Sequence, residues 1–290
     1  MKKTVATILS TNFAGSHFLS LMLGSHSNAL HVGEARRLRK KPRTKHPCFI
    51  CEGSGECALF RDIDPDHLED LWPTLFARVP DSIRVLIDNS KKPGWSARFL
   101  ADDRCERKYI HLIRDPRALM RRWAEDYESW QERFEQRVTW CRRRPDLIPQ
   151  MLFASHRRFF LYKWLAKNQE ISAFLREHRL DHAIVTYRDL ALFPDEELAR
   201  LDRFLGLEPE PGQKEYWNFE HHGSQKPDYE WVKKQQTQFL DLRWKQFLSE
   251  ADQRWVLGEP RVGRYLAELG LEFSDDGLTR KGRSARPTSG

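Results

Sequence analysis

Four groups of residues have types and spacings that could do chemistry. The first is the loop Ser10-Thr11-Asn12-Phe13-Ala14-Gly15-Ser16-His17. It follows the apolar run Thr4–Leu9 and precedes an apolar spacing typical of a helix. A glycine there lets backbone N–H groups turn inward, and a helix N-terminus adds a partial positive charge that suits a phosphate. The hydroxyls of Ser16 and Thr11 add donors. G-x-x-x-x-G-K-[ST] is absent, so this is not the Walker loop. An ordinary tight turn is the alternative reading.

The second group is Arg114-Asp115-Pro116-Arg117, after the run Lys108–Ile113. An arginine at a strand end, beside a helix start, suits bidentate phosphate binding. The alternative is a local pair with Asp115. The third group is the polar run Asp88-Asn89-Ser90-Lys91-Lys92 after a β-rich segment, with Tyr187-Arg188-Asp189-Leu190 in the same position after another. The fourth is Cys48-x-x-Cys51 with Cys57 and His46 nearby. That set has the ligand types for zinc but is not a full signature, so a metal is admitted and unligated thiols are favoured. A disulfide is disfavoured in a reducing compartment. Cys105 and Cys141 read as packing residues.

These groups need elements to position them. Strands are expected at Thr4–Leu9, Ile83–Ile87, Lys108–Ile113 and Ala183–Tyr187. Helices are expected at Gly15–Leu23, Pro65–Ala77 with Asp64 as cap, Gly94–Ala101, much of 117–179, Glu196–Leu205, Leu240–Leu248 and Arg261–Leu269. Residues 36–63 and 208–240 read as irregular. Strands alternating with helices predict an α/β fold, a single P-loop-like domain over residues 1–274 with a central parallel sheet flanked by helices. In such a sheet ligands bind at the carboxyl ends of the strands, where the first three groups fall. The basic Gly/Ser/Pro segment 275–290 reads as a disordered tail. The aromatic residues Trp123, Trp130, Phe134, Trp140, Phe159, Phe160 and Trp164 read mostly as core.

The chain has 290 residues, 40% hydrophobic and 31% charged, with a net charge of +7. That balance excludes a disordered chain. No apolar run reaches the roughly 18 residues of a membrane span. The N-terminal Met1-Lys2-Lys3 precedes too short an apolar stretch for an export signal, so a cytoplasmic location is expected. Basic charge concentrates in Arg36–Arg43 and Arg142–Arg144. No zinc-finger or RNA-recognition spacing accompanies it, and nucleic acid is not expected as a partner.

Taken together, the motifs resemble those of the sulfotransferases that use 3′-phosphoadenosine 5′-phosphosulfate (PAPS), especially bacterial, carbohydrate- and tyrosylprotein-type members. Ser10–Leu19 is similar to their S-x-x-[RK]-S-G-[ST]-x-x-L loop. Leu112-Ile113-Arg114-Asp115-Pro116-Arg117-Ala118 matches their L-[VI]-R-D-P-R-A. Asp88-Asn89-Ser90-Lys91, Val185–Leu190, Phe204-Leu205-Gly206-Leu207 and the cysteine segment follow in family order.

The resemblance implies a role for each group. Asn12, Phe13, Ala14, Gly15, Ser16 and His17 would hold the 5′-phosphosulfate, and Arg114 the 3′-phosphate. Arg122, eight residues on where relatives carry Ser, would add a second phosphate contact, and Tyr187 and Lys226 would complete the nucleotide set. Glu34 would take the acceptor proton, and Lys91 would stabilise charge on the bridging oxygen. The alternative for Glu34 is a surface ion pair with Arg36 or Arg37. Phe13 stands where relatives carry Arg or Lys, so one cation is missing from its usual place.

The implied reaction moves a sulfuryl group from PAPS to a hydroxyl of a carbohydrate or small molecule, without a metal. A P-loop kinase or NTPase is one rival reading. A non-catalytic nucleotide- or anion-binding protein is the other.

Overall fold

The structure is a computed structural model and describes residues 2–39, 48, 51, 57–223, 232–236 and 239–283. In chain order the elements are β1 (Thr4–Ser10), α1 (Ser16–Leu23), β2 (Ala29–Gly33), α2 (Leu71–Phe76), β3 (Val85–Lys91), α3 (Pro93–Ser96), β4 (Glu106–Ile113) and α4 (Pro116–Asp126). The helices α5 (Trp130–Arg143), α6 (Ile148–Phe153) and α7 (His156–Glu177) follow, then β5 (His182–Thr186), α8 (Tyr187–Leu192) and α9 (Pro194–Phe204). The last are α10 (Trp244–Phe247), α11 (Glu250–Leu257), α12 (Pro260–Glu268), β6 (Leu271–Ser274) and β7 (Gly277–Arg280). Among the described residues, no helix is long and apolar enough to cross a membrane.

The expected α/β architecture is present, as a five-stranded sheet of order β2-β3-β1-β4-β5 flanked by helices. The chain falls into two compact units. The first comprises residues up to Leu112, Ile171–Val185 and Phe193–Phe239. In it, β1 pairs in parallel with both β3 and β4, and β2 in parallel with β3. Every residue of β1 and β3 is buried, as expected for inner strands of a covered parallel sheet. Val5, Leu86, Trp72, Leu75, Trp95 and Phe99 share one apolar cluster.

The edge strand β2 escapes sequence reading because His31 and Gly33 interrupt a run of only five residues. The helix expected at Pro65–Ala77 begins only at Leu71. The Asp64 side chain instead accepts from the Asp66 N–H (2.9 Å), which closes a turn rather than capping a helix.

The second unit comprises Ile113–Glu170, Thr186–Leu192 and the chain from Leu240 on. Asp115 caps α4 by accepting from the Arg117 N–H (2.7 Å), with Pro116 at the first helical position. Ser129 and Glu132 form a capping box on α5. Trp123, Trp140, Phe159, Phe160 and Trp164 are buried as expected. Trp130 and Phe134 are not: they are 74% and 54% exposed and stack on each other on α5.

The segment after Ser274, expected as disordered tail, is in part a strand. β7 pairs antiparallel with β6, and Asp189 holds it through Thr279 Oγ1 (2.8 Å) and the Arg280 N–H (3.1 Å). Arg188 supports the turn by donating to Asp276 (2.6 Å). The polar pair Arg188-Asp189 thus serves this hairpin. A buried carboxylate with three donors needs no ligand to satisfy it. Residues 284–290 lie outside the described residues.

Candidate active site

Three parallel strands of the first unit, adjacent in the order β2-β3-β1, deliver the site from their carboxyl ends. After β1 the chain turns through Phe13 (φ 66°) and Gly15 (φ 98°) into α1. Gly15 is the N-cap residue in the left-handed region, where a side chain would be strained. Ala14 and Ser16 are buried, while Asn12 is exposed and Phe13 and His17 are half-buried. Thr11 Oγ1 is buried and has no hydrogen-bond partner among the described residues. A buried hydroxyl is costly to leave unmatched, so this donor beside a helix N-terminus fits an anionic ligand such as a phosphosulfate.

The second element is β3. Its register with β1 slips between Thr7↔Asp88 and Leu9↔Lys91, so Asn89 and Ser90 face a single residue. This is a β-bulge, a device that re-aims side chains next to functional sites. The strand continues through the polar run expected to end it, and Lys91 takes φ 68°. A non-glycine residue there costs on the order of 1–3 kcal/mol.

Lys91 Nζ donates to Glu34 Oε1 and lies 3.1 Å from His17 Nε2. Glu34 follows Gly33, whose φ of 72° turns the chain at the end of β2. Its other oxygen accepts from Arg36 Nη2 (2.6 Å) and Arg37 Nε (3.1 Å). His17 Nε2 is 3.2 Å from Glu34 Oε1, and Asn89 Nδ2 is 3.1 Å from His17 Nδ1. The Asn89 amide assigns the tautomer: Nδ1 accepts, and Nε2–H donates to Glu34.

Glu34 is therefore paired with both Arg36 and Arg37, but as a buried carboxylate at the centre of four donors rather than a surface pair. Burial pushes its pKa up. The hydrogen bond from His17 and the charge of Lys91 outweigh that and hold the carboxyl well below the usual range. Burial takes the Lys91 ammonium down to about 8; Glu34 opposes this shift, and Arg36 and Arg37 add to it. One negative charge shared among three cations stabilises the carboxylate more than any single cation.

Asp88 braces this corner. It accepts from the Ser90 N–H (3.0 Å) and Oγ (2.5 Å), from Trp95 Nε1 (2.9 Å) and from the Ala35 N–H (3.3 Å). It thereby ties the bulge of β3 to the residue after Glu34. Asp88→Ala would leave a buried indole N–H and the Ser90 donors unmatched. We expect a loss of about 3 kcal/mol in stability, read by urea denaturation.

In the second unit, Arg114 donates to Asp241 Oδ2 (2.9 Å), and its guanidinium lies over the Tyr187 ring at 4.2 Å. The Asp115 carboxylate accepts from Arg117 Nε and Nη2. Trp164 Nε1 donates to the Arg114 carbonyl (2.8 Å) and pins the residue. Arg122 is half-buried beside Glu125. The neighbouring Arg121 is buried and shares Asp241 with Arg114 (3.1 Å). Sequence reading missed Arg121, although its place in α4, one turn or so beyond the apolar Ala118, was the available signal. Lys226 and His46 lie outside the described residues.

Cys48, Cys51 and Cys57 converge, as their spacing allowed. Their fourth neighbour is His222, distant in sequence.

No family model matches the chain, and no curated protein does. Solved structures do. A sulfotransferase domain from the curacin biosynthetic pathway is 18% identical, with a TM-score of 0.52 over 94% of this chain and 99% of that one. A sulfotransferase from Alicyclobacillus acidocaldarius is 15% identical, with a TM-score of 0.45 over 91% and 94%. A mouse sulfotransferase complexed with PAP is 12% identical, with a TM-score of 0.46 over 92% and 89%. The first of these likenesses carries the assignment, together with the strand order and the loop after β1: this chain has the fold of the sulfotransferases.

Proposed function

We propose that the protein is a PAPS-dependent sulfotransferase acting on a hydroxyl of a carbohydrate or small-molecule acceptor. The observation that carries this reading is the convergence of the Thr11–His17 loop, Glu34 and Lys91 at the carboxyl ends of three adjacent parallel strands. The orphaned Thr11 hydroxyl and the left-handed Gly15 suit an anionic ligand at that loop. PAPS, when bound, supplies an activated sulfuryl group. Arg114 is the residue proposed for its 3′-phosphate.

In this reading Lys91 faces the charge that develops on the bridging oxygen, and Glu34 takes the proton of the acceptor hydroxyl. The acceptor oxygen forms the new S–O bond as the bridging S–O bond breaks. The two residues are coupled. Glu34 is a weak proton acceptor while Lys91 remains charged beside it. Once Lys91 yields its proton to the leaving oxygen, that cation is gone and the proton affinity of Glu34 rises. Lys91 also supplies, from β3, a cation near His17 where Phe13 supplies none.

The test is a thermal-shift titration with adenosine 3′,5′-bisphosphate, followed by PAPS turnover on an acceptor panel read by mass spectrometry. We expect a rise in melting temperature that saturates, and mass gain on at least one hydroxylated acceptor. No stabilisation at millimolar ligand would remove the nucleotide assignment. Stabilisation with no transfer to any acceptor would favour a binding protein. Mg-dependent loss of the γ-phosphate of ATP, with no response to PAPS, would favour a phosphotransferase.

A further inference from the structure

We propose that Cys48, Cys51, Cys57 and His222 form a structural zinc site. Their four ligand atoms all lie within 4.8 Å of one another. His222 Nδ1 is 3.3 Å from Cys51 Sγ and 3.6 Å from Cys57 Sγ. In a tetrahedral zinc centre with Zn–S of about 2.3 Å and Zn–N of about 2.0 Å, the S···N edge is roughly 3.5 Å. The observed separations match that edge. Three thiols and one imidazole are also the soft, closed donor set that selects zinc over hard cations.

The surroundings fit a metal better than bare thiols. Cys48 and Cys57 are buried, and the Gly223 N–H donates to Cys48 Sγ (3.4 Å). Backbone N–H donation to a ligating sulfur is the outer-shell support such sites use. No disulfide links any of the five cysteines, so none does the work of holding these segments together.

The site would join two segments far apart in sequence, which is where a crosslink restricts the unfolded chain most. It also has a reach within its own unit. His221, next to the ligand, lies with its Nε2 2.9 Å from the Tyr216 carbonyl oxygen, and its ring packs edge-on against His31 of β2 at 6.0 Å. His31 in turn hydrogen-bonds Ser20 of α1. Zinc would therefore steady the strand that ends at Gly33, just before Glu34, without touching the reacting groups.

The experiment is metal analysis of the full chain purified in reducing buffer, with zinc and cobalt as the probes. We expect about one equivalent of zinc, released by a strong chelator with a fall in melting temperature. Replacing it by Co²⁺ should give the intense visible bands of a tetrahedral thiolate site. His222→Ala and, separately, the half-buried Cys51→Ser should each abolish stoichiometric zinc. Should His222→Ala fail to fold, the cobalt spectrum of the wild-type chain still decides. A chain that takes up no zinc while its cysteines titrate as reduced thiols would overturn the proposal. So would undiminished zinc in the folded His222→Ala protein, or loss of thiols to a disulfide in reducing buffer. None of these readouts depends on sulfuryl transfer, so the zinc site and the sulfotransferase reading stand or fall separately.

Discussion

Arg114→Ala is expected to weaken binding of adenosine 3′,5′-bisphosphate by about 2–3 kcal/mol, or on the order of a hundredfold in Kd. The physical reason is the loss of a charged, forked donor from a phosphate. The fold should survive the change. Asp241, the present partner of Arg114, keeps Arg121 (3.1 Å) and Arg243 (2.8 Å), so no buried carboxylate is left without a cation. Tyr187 loses a stacked guanidinium but stays packed, at a cost of roughly 1 kcal/mol. Arg114→Lys should fall between, since it keeps the charge and loses the fork. Isothermal titration with the nucleotide reads all three proteins. Unchanged affinity in Arg114→Ala would mean that the 3′-phosphate is bound elsewhere, and the RDPR resemblance would then report only a well-capped helix.

The second large effect concerns Lys91 and Glu34. Lys91→Ala should cut turnover by about 10²–10³-fold, the usual scale for removing one preorganised group from a developing charge. Glu34 would still have Arg36, Arg37 and His17, so its burial remains compensated. Glu34→Gln should also lower turnover while leaving nucleotide affinity within a few-fold.

The pH profile separates chemistry from packing. With its ammonium at about 8, among Glu34, His17, Arg36 and Arg37, Lys91 should lose its proton, and the enzyme its activity, as pH rises through 8. Lys91→Arg keeps the charge but cannot release a proton, so it should turn over slowly at every pH and show no limb near 8. Stability moves the other way. Between pH 8 and the ordinary lysine value of 10.5 the unfolded chain holds a proton that the folded one has shed. The contribution of Lys91 to unfolding free energy therefore rises with pH across that window. A profile flat through pH 8 in the wild type would exclude Lys91 as the group whose protonation turnover needs.

Much of the architecture follows from short-range signals. Thr4–Leu9 reads as a buried strand because its side chains are apolar or small, and Asp115-Pro116 reads as a helix start because the carboxylate and the ring each satisfy a helix N-terminus locally. The β3 bulge is not legible in this way. It arises from a mismatch in pairing between β1 and β3, and nothing within Asp88–Lys91 itself declares it. The same holds for the β6–β7 hairpin: its composition is that of a tail, and the Asp189 carboxylate that holds it lies ninety residues earlier in the chain.

What the amino-acid sequence determined alone was the list of chemical groups and the strand ends that carry them: the Ser10–His17 loop, Lys91, Arg114 and the three clustered cysteines. Residue type and local spacing suffice for that, since caps, turns and strand periodicity act over a few residues. Only the tertiary structure decided what those groups meet. It surrounded Glu34 with Lys91, His17, Arg36 and Arg37, set Arg114 on Asp241 and Tyr187, joined the buried Arg121 to the same Asp241, and brought His222 to the cysteines. Charge pairing, desolvation and metal geometry depend on distances through space, and folding sets these between residues that the chain keeps far apart.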